Sequence, residues 1–323
     1  MKHFPGHRLT RPGTFGALAK WRRRLLARSW RPPEGHFDYR YEDLWLERKA
    51  LLYASTGLFP ITHYIYGDEQ LDLLLRAKKY IRSKLLATFH LLWSDSSPWL
   101  HKNRSLWSQA LDGVIGISSD LSESLKEVFG PDKVCFIPHG VDTDTYRPSP
   151  APKIGPLRLL TVGQHQRDLG LMAAVAKQCL ENSSPVAFEY IGTSEAADRF
   201  RGLPNVFCRS RISEAELIGA YQSSHALWLP LIAGTANNAL LEALACGLPV
   251  ISTKVGGIPD YLDADSGWLL PPGGVRECQE LIDALAKDPS AIQHKCSPAR
   301  RKAESFDWKN ISKKVTAFYK TIL

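Results

Sequence analysis

Residues 233–260, AGTANNALLEALACGLPVISTKVGGIPD, carry the side chains best placed to do chemistry. The helix predicted over 237–246 is apolar on nearly every side, which is typical of a buried helix. Glu242 lies in the middle of that helix, and Asn238 lies one turn earlier on the same face. Because an isolated buried carboxylate is costly, Glu242 must be paired, hydrogen-bonded or open to a ligand.

The first turn of this helix adds a second chemical feature. Its backbone N–H groups have no partner within the helix, and they lie at the positive end of the helix dipole, which suits an anionic diphosphate. One turn further on, the carboxylate of Glu242 can accept hydrogen bonds from two adjacent hydroxyls. A nucleoside diphosphate needs both features at about this spacing. The structural alternative is a Glu242 paired with a neighbouring Arg or Lys.

Strands that alternate with helices must position this segment. Strands are predicted at 61–67, 84–89, 112–118, 134–138, 157–163, 186–192, 225–231 and 248–253, and helices between them at 69–81, 119–129, 169–180 and from 213. Such alternation favours right-handed crossovers and parallel sheets. The segment RPSPAPKIGP (147–156) contains four prolines, so it is predicted to be a stiff linker. We therefore predict an α/β protein with two Rossmann-like domains, whose parallel sheets face an interdomain cleft that binds ligands.

Four segments of the sequence resemble family-four retaining glycosyltransferases of the GT-B fold. They are FIPHGVDTDTYRP (136–148), RLLTVGQHQRDLG (158–170), the stretch 233–260 and the terminal FDWKNISKKVTAFYKTIL (306–323). The resemblance spans about residues 60–323, and LEALACGLPVISTKVGGIPD is its most specific part. It implies transfer of a sugar from a nucleotide-sugar with retention of the anomeric configuration. It also implies that no metal or other cofactor is needed.

The resemblance further implies how the chain is divided. We predict a basic arm, an acceptor-side domain whose first strand is not recognisable, the proline-rich linker, a nucleotide-sugar-binding domain and a terminal helix that crosses back to the first domain. These segments are 1–33, 34–146, 147–156, 157–305 and 306–323, in that order.

On the donor side, the resemblance assigns Glu242 to the ribose hydroxyls. Other residues are expected to contact the diphosphate, the donor sugar or the nucleobase, largely through backbone groups. They are Gly163, His165, Arg209, Ile212, Gly234, Thr235, Ala236, Asn237 and Asn238.

Two departures from the family pattern concern charge at the donor site. The family has a further glutamate eight positions before the one that matches Glu242, and Gly234 stands there. The family also places an Arg and a Lys in the loop after the first strand of the second domain, where Gln164 and Leu169 stand here. Arg167 in the same loop is the expected catalytic replacement because it is always charged. Its structural alternatives are an ion pair with Asp168 or solvation at the surface.

The acceptor side is expected in the first domain. His90 follows the predicted strand 84–89, where the family often has a His near the acceptor and the transferred sugar, so we expect it to be catalytic. Asp68 and Glu69 follow the neighbouring predicted strand, and their carboxylates suit acceptor hydroxyls. His63 is a further acceptor-binding candidate, with a structural role as its alternative.

The positive charge of the chain is concentrated at its start. The net charge is +8, yet residues 1–33 hold nine Lys or Arg and no acid. The segment FGALAKWRRRLLARSW can form a helix in which Trp and Leu share a face, which suits an anionic membrane surface. The alternatives are packing on its own domain and nucleic-acid binding, and no nucleic-acid motif supports the latter.

Composition excludes several classes of protein. Hydrophobic residues make up 44% of the chain, no apolar run reaches the length of a membrane-spanning helix, and no secretory signal is recognisable. The six scattered cysteines indicate neither a zinc cluster nor a disulfide scaffold, so we expect a cytoplasmic protein that is peripheral at the inner face of the membrane.

These observations predict a retaining hexosyltransferase that moves a hexose from a nucleotide-sugar to a lipid-linked or glycan acceptor at the membrane surface. The alternative is a catalytically weak or inactive GT-B subunit that binds a nucleotide-sugar or a partner protein. The donor sugar, the nucleobase and the oligomeric state do not follow from the sequence.

Overall fold

The computed structural model describes residues 41–96, 98–149 and 155–323. The predicted basic arm, residues 34–40 and residues 150–154 of the predicted linker lie outside these ranges. The described chain divides into two compact units. Unit 1 contains the residues up to Ile137 together with Ser312–Leu323, and unit 2 is Pro138–Ile311.

Unit 1 is built on a four-stranded parallel sheet in the order β1-β2-β3-β4. Its elements are α1 (Tyr41–Thr56), β1 (Ile61–Tyr64), α2 (Gly67–Gln70), α3 (Leu73–Arg76), β2 (Lys84–Phe89), α4 (Pro98–Lys102), α5 (Arg104–Ala110), β3 (Gly113–Gly116), α6 (Ser119–Phe129) and β4 (Val134–Phe136). Strands β2 and β3 are buried along almost their whole length, as expected for central strands of a parallel sheet.

Unit 2 is built on a six-stranded parallel sheet in the order β10-β9-β8-β5-β6-β7. Its elements are β5 (Leu157–Val162), α7 (Leu169–Glu181), β6 (Val186–Ile191), α8 (Ser194–Ala197), β7 (Val206–Arg209), α9 (Glu214–Ser223), β8 (Ala226–Leu229), α10 (Asn238–Ala245), β9 (Val250–Thr253), α11 (Ile258–Tyr261), β10 (Gly267–Leu270), α12 (Val275–Lys287) and α13 (Ser290–Ser305). The strand order reverses between β5 and β8, which is the position where open α/β sheets bind ligands.

Both faces of the second sheet are covered by apolar side chains. Leu159 and Trp228 point to the face that packs on α7 and α12, whereas Leu160, Leu227 and Leu229 point to the face that packs on α10 and α13. This alternation follows from the two-residue period of a strand. Because both faces are buried, the strands consist of nearly continuous apolar runs, which is the signal that predicted them.

The single helix predicted over 69–81 is wrong. The structure has α2, α3 and a short 3₁₀ turn there, because Leu71 and Asp72 leave the helical conformation. The carboxylate of Glu47 on α1 accepts the N–H groups of Asp72, Leu73 and Leu74 at 2.8–3.1 Å and starts a new helix. This tertiary cap has no local sequence signal.

The units divide ahead of the predicted linker 147–156. Residues after Ile137 pack on unit 2, where the N–H of Val141 donates to the Phe306 carbonyl at 3.0 Å. The guanidinium of Arg300 also donates to the carbonyls of Thr143 and Tyr146. The last helix, α14 (Trp308–Ile322), is continuous, and its residues from Ser312 onward belong to unit 1. No helix in the described ranges is both long and apolar enough to span a membrane.

Candidate functional site

The loops that follow β5 and β8 are joined to each other at the switch point of the second sheet. The Asp168 N–H donates to the Pro230 carbonyl, and the Ile232 N–H donates to the Gln166 carbonyl, both at 3.0 Å. Gln166 has φ +57°, a left-handed conformation that is rare outside glycine and is often found at functional sites. The two loops therefore form one fixed unit at the carboxyl ends of β5 and β8.

Arg167 is the cation of this loop pair. Its guanidinium donates to the carbonyls of Val162 at 2.8 and 3.0 Å and of His165 at 2.8 Å. It takes part in no ion pair within the described residues, and Asp168, its expected alternative partner, instead caps α7 by accepting the Leu171 N–H at 2.9 Å. Burial lowers the pKa of Arg167 to about 10, so it stays charged at neutral pH without a counter-ion.

Gly163 makes room for this cation. It has φ +82°, and a Cβ atom at this position would lie 3.0 Å from the guanidinium Nη2 of Arg167. A larger residue would therefore strain the backbone and displace the cation. Gly163 lies in the predicted donor site, and its role here is to admit Arg167.

The amino terminus of α10 lies beside Arg167. Asn237 is the N-cap, and its side-chain oxygen accepts the Leu240 N–H at 3.3 Å and lies 3.5 Å from the Nη2 atom of Arg167. Thr235 is buried, Ala236 is half-buried and Asn238 is exposed. The positive helix end and the uncompensated guanidinium together form an environment that favours an anion.

Glu242 lies further along α10, where burial raises the pKa of its carboxyl group. Its Oε2 accepts the hydroxyl of Tyr221 at 2.8 Å, whereas the nearby hydroxyl of Tyr146 donates to Glu214 at 3.3 Å. No described Lys or Arg forms an ion pair with it, so the alternative of a Glu242 paired with a cation is wrong. The neutral hydroxyl of Tyr221 holds the carboxylate and leaves its negative charge uncompensated.

Gly234 leaves open space where the family has its further glutamate. It has no left-handed φ, and a Cβ atom there would meet only methyl groups of Ile258 at 3.7 Å and Leu231 at 4.0 Å. Both distances are ordinary van der Waals contacts. The glycine is therefore not required by the backbone at this position.

The segment predicted to wrap a nucleobase lies at the edge of the second sheet. The Arg209 side chain is engaged by Glu189 at 3.3 Å and Glu216 at 2.9 Å. Ile212 is half-buried against the apolar core, and His165 is exposed. Binding of a base by the backbone of 208–212 stays a prediction.

In unit 1, the carboxylate of Asp68 positions His90. Its Oδ2 accepts the N–H groups of His90 at 2.7 Å and Leu91 at 2.8 Å, and the side chain is buried. Tyr66 stacks on the His90 ring with 4.5 Å between the ring centroids. Glu69 lies in α2 beside Asp68. The predicted acceptor-side residues His90 and Asp68 are thus brought together after β2.

His63 is held inside unit 1 by two hydrogen bonds. Its Nδ1 lies 2.7 Å from the Tyr319 hydroxyl, and its Nε2 lies 2.8 Å from Oγ1 of Thr88. Burial lowers the pKa of His63 to about 4, so its ring is neutral near pH 7. It can bind an acceptor only by giving up one of these bonds.

Sequence reasoning missed Tyr146, Tyr221 and Tyr66. Each contacts a predicted site residue from a different element, so spacing along the chain carries no signal for the contact. Tyr146 lies within the quoted segment 136–148, which is the only hint available. Within the described ranges, no three His, Cys, Asp or Glu side chains are grouped in a way that could hold a metal ion.

The two sheets and the switch-point site define the chain as a GT-B glycosyltransferase fold. The solved structure of HepE from Anabaena with UDP-glucose superimposes with a TM-score of 0.71 at 16% identity, over 85% of this chain and 82% of that one. This likeness shows the fold.

Two family models match the chain, one in each half. Glycosyltransferase Family 4 matches residues 19–145, and Glycosyl transferases group 1 matches residues 156–288. Together they account for most of the chain, which belongs to the family-four glycosyltransferases.

Two curated relatives illustrate the range of this family. Sulfoquinovosyl transferase SQD2 of Arabidopsis thaliana is 32% identical over 120 residues, which are 36% of this chain and 23% of that protein. Glycogen synthase of Mycobacterium tuberculosis is 25% identical over 90% of this chain and 69% of its own length. The chain thus spans about a quarter of the first relative and about two thirds of the second.

Proposed function

We propose that this chain is a retaining, metal-independent hexosyltransferase that moves a hexose from a nucleoside diphosphate sugar to a lipid-linked or glycan acceptor at a membrane surface. The observation that carries the proposal is the pair of uncompensated charges in unit 2. Within the described residues, Arg167 is a half-buried cation without an acid, and Glu242 is a half-buried carboxylate without a base. A nucleotide-sugar supplies an anionic diphosphate for the first and hydroxyl donors for the second.

The donor chemistry follows from these charges. As the bond from the sugar to the diphosphate breaks, negative charge grows on the leaving phosphate. Arg167 and the N–H groups at the start of α10 are already oriented by protein contacts, so they stabilise this charge without rearranging. The acceptor oxygen forms its bond to the anomeric carbon on the face from which the diphosphate leaves, and the acceptor proton passes to the leaving phosphate. Because the new bond replaces the broken one on the same face, the anomeric configuration is retained.

The acceptor side of the proposal rests on His90. Asp68 and Tyr66 fix the backbone and ring of this residue, so the imidazole is oriented before a ligand binds. An oriented imidazole can hydrogen-bond a sugar hydroxyl close to the reacting centre. The basic segment 1–33 supplies the proposed contact with anionic lipid.

A second candidate function is a nucleotide-sugar-binding subunit without turnover. Gly234 favours it, because no carboxylate stands where the family contacts the donor hexose. This candidate binds the donor as tightly as an enzyme does, but it releases no product.

Calorimetry followed by a hydrolysis assay tests both candidates. We expect UDP or another nucleoside diphosphate to bind the wild-type chain and to bind Glu242→Gln more weakly. We also expect slow release of free nucleoside diphosphate from the cognate nucleotide-sugar. Binding without release selects the second candidate, and the absence of binding for every nucleoside diphosphate contradicts both.

A further inference from the structure

Helix α1 of unit 1 buries two carboxylates beside its apolar residues and exposes a large leucine. Its buried side includes the carboxylates of Asp43 and Glu47, whereas Leu52 is 70% exposed. Arg48 and Lys49 lie one turn before Leu52 on the outward side and are also exposed. A single exposed leucine is ordinary at a protein surface, so Leu52 is informative only together with other exposed apolar groups and cations beside it.

A second exposed apolar group lies next to the end of α1. Leu58, in the loop before β1, is 76% exposed, and Tyr80, shortly before β2, is 63% exposed. The loop before β2 is fixed to the end of α1, because the N–H groups of Arg82 and Ser83 both donate to the Ala54 carbonyl, at 2.9 and 3.1 Å. Strands β1 and β2 are parallel neighbours, so both loops lie at the amino-terminal edge of the first sheet.

Cations outnumber acids around these apolar groups. Residues 48–84 contain seven Lys or Arg and three Asp or Glu, and the acids all lie within 68–72. Arg76 and Lys78 are paired with Asp72 and Asp112. The other five form no ion pair within the described residues, and all of them are exposed; they are Arg48, Lys49, Lys79, Arg82 and Lys84.

We infer that this surface binds an anionic lipid bilayer. The basal surface, as we name it, consists of Arg48, Lys49, Leu52, Leu58, Lys79, Tyr80, Arg82 and Lys84. Leucines and a tyrosine amid lysine and arginine match the acyl boundary and the anionic headgroups of a bilayer. The ammonium group of Lys79 lies 4.9 Å from the centre of the Tyr80 ring, so cation and aromatic ring are presented together.

The inference rests on the proposed function, in which the acceptor lies at a membrane. It narrows the class of molecule that can serve as this acceptor. The basal surface lies at the amino edge of the first sheet, whereas His90 follows the carboxyl end of β2. The six residues of β2 span about 20 Å at ~3.3 Å per residue. A bilayer at the basal surface therefore favours an acceptor that projects from the membrane, as the sugar chain of a lipid-linked oligosaccharide does, over a bare lipid headgroup.

Vesicle sedimentation with the full chain tests the inference. The probes are phosphatidylcholine vesicles with and without phosphatidylglycerol. We expect Leu52→Glu/Leu58→Glu to lower partition onto the anionic vesicles by about tenfold, because it removes apolar contact and adds repulsion. We expect Lys79→Gln/Arg82→Gln/Lys84→Gln to lower it by at least about tenfold and to weaken its salt dependence. Residues 1–33 are unchanged in every variant, so the loss measures the contribution of the basal surface.

The matched control is Leu180→Glu/Phe207→Glu. It places the same charges on exposed apolar residues of unit 2, of which Phe207 is 69% exposed, and we expect wild-type partition. Nucleoside diphosphate binding in the absence of vesicles reports folding and tests the donor site separately. Wild-type partition of both basal variants overturns the inference. A changed oligomeric state with unchanged partition also overturns it, because the surface would then join two copies of the chain.

Discussion

The charged and polar residues near the carboxyl edges of the two sheets differ in whether other protein groups bind them. In unit 2, Arg167 and Glu242 lie near the reversal of strand order, half-buried and without a counter-ion among the described residues. In unit 1, the described strands run from β1 to β4 without a reversal, and His63 and Asp68 are bound by other protein groups.

The difference separates residues that serve a ligand from residues that serve the fold. A buried charge without a partner is costly, and natural proteins keep such charges where they do chemistry. A buried polar group with protein partners lowers the free energy of the fold by itself. In the proposed function, a ligand with an anion and hydroxyls supplies the partners that these two charges lack.

The largest effect is expected from Arg167→Ala, which removes the only cation of the switch-point loops that lacks an acid. Turnover of the cognate nucleotide-sugar should fall roughly 10²-fold, the scale of losing one oriented electrostatic contact. Steady-state kinetics measures the change. Arg201→Ala is the matched control, because its guanidinium is exposed and paired with Asp198. Equal turnover in Arg167→Ala and wild type would contradict the view that the unpaired charge of Arg167 serves a ligand.

His63→Gln tests the expectation for unit 1, which is that this residue stabilises the fold and does not act in turnover. Burial lowers the pKa of His63 from 6.5 to about 4, so its stabilising contribution is complete above pH 6.5 and is lost as the pH falls toward 4. At about pH 5 the wild type should lose about 2 kcal/mol relative to neutral pH. The glutamine does not titrate, so the loss of stability between neutral pH and about pH 5 should be smaller in the variant than in the wild type.

Hydrogen exchange at the amides of β1 and β2, corrected for intrinsic rates, measures this local stability. His225→Gln is the control from the other sheet. An equal acid loss in wild type and His63→Gln would show that the histidine is not the titrating group. Changed nucleoside diphosphate binding in His63→Gln would show that His63 contributes to ligand binding and not only to the stability of the fold.

The sequence predicted the fold well where strands are continuous apolar runs. β2 over 84–89 and α6 over 119–129 have the predicted bounds, and the capping box of Ser213 and Glu216 is formed. The helix over 69–81 failed because Glu47, distant in sequence, caps a new helix start at Asp72. Local signals cannot report such a contact.

The site was predictable where its residues lie on one element and not where they come from different elements. Glu242 and the start of α10 lie on one helix, so their spacing is visible in the sequence. The tyrosine that donates to Glu242, Tyr221, lies on another helix, and the pairing of Arg209 with Glu189 and Glu216 depends on the edge of the sheet. Tertiary contacts decide which side chains remain available, and the sequence does not encode them locally.

Glu242→Gln separates function from stability at one residue. Affinity for the nucleoside diphosphate should fall about tenfold in calorimetry, as expected for a hydrogen bond to a charged group. Because burial raises the pKa of Glu242, ionisation at neutral pH destabilises the fold, so the variant should have a higher Tm than the wild type. Glu195→Gln, on the surface helix α8, is the control. A lower Tm in Glu242→Gln would identify a structural carboxylate instead.

The smallest effect is expected from Gly234→Glu, which restores the carboxylate position of the family. The backbone conformation and the contacts of 3.7 and 4.0 Å around a Cβ atom accept a side chain there, so the fold should persist. If the donor sugar offers the hydroxyl that this carboxylate binds in the family, turnover should rise about threefold to tenfold, the scale of one added hydrogen bond. Gly234→Ala is the control, because it reproduces the backbone change without the charge. Increased turnover in Gly234→Glu alone would show that the unpaired charges of unit 2 form a working but incomplete donor site. Equal turnover in Gly234→Glu and Gly234→Ala would show that the donor of this chain does not use a carboxylate at position 234. Arg167 and Glu242 would then suffice to bind that donor.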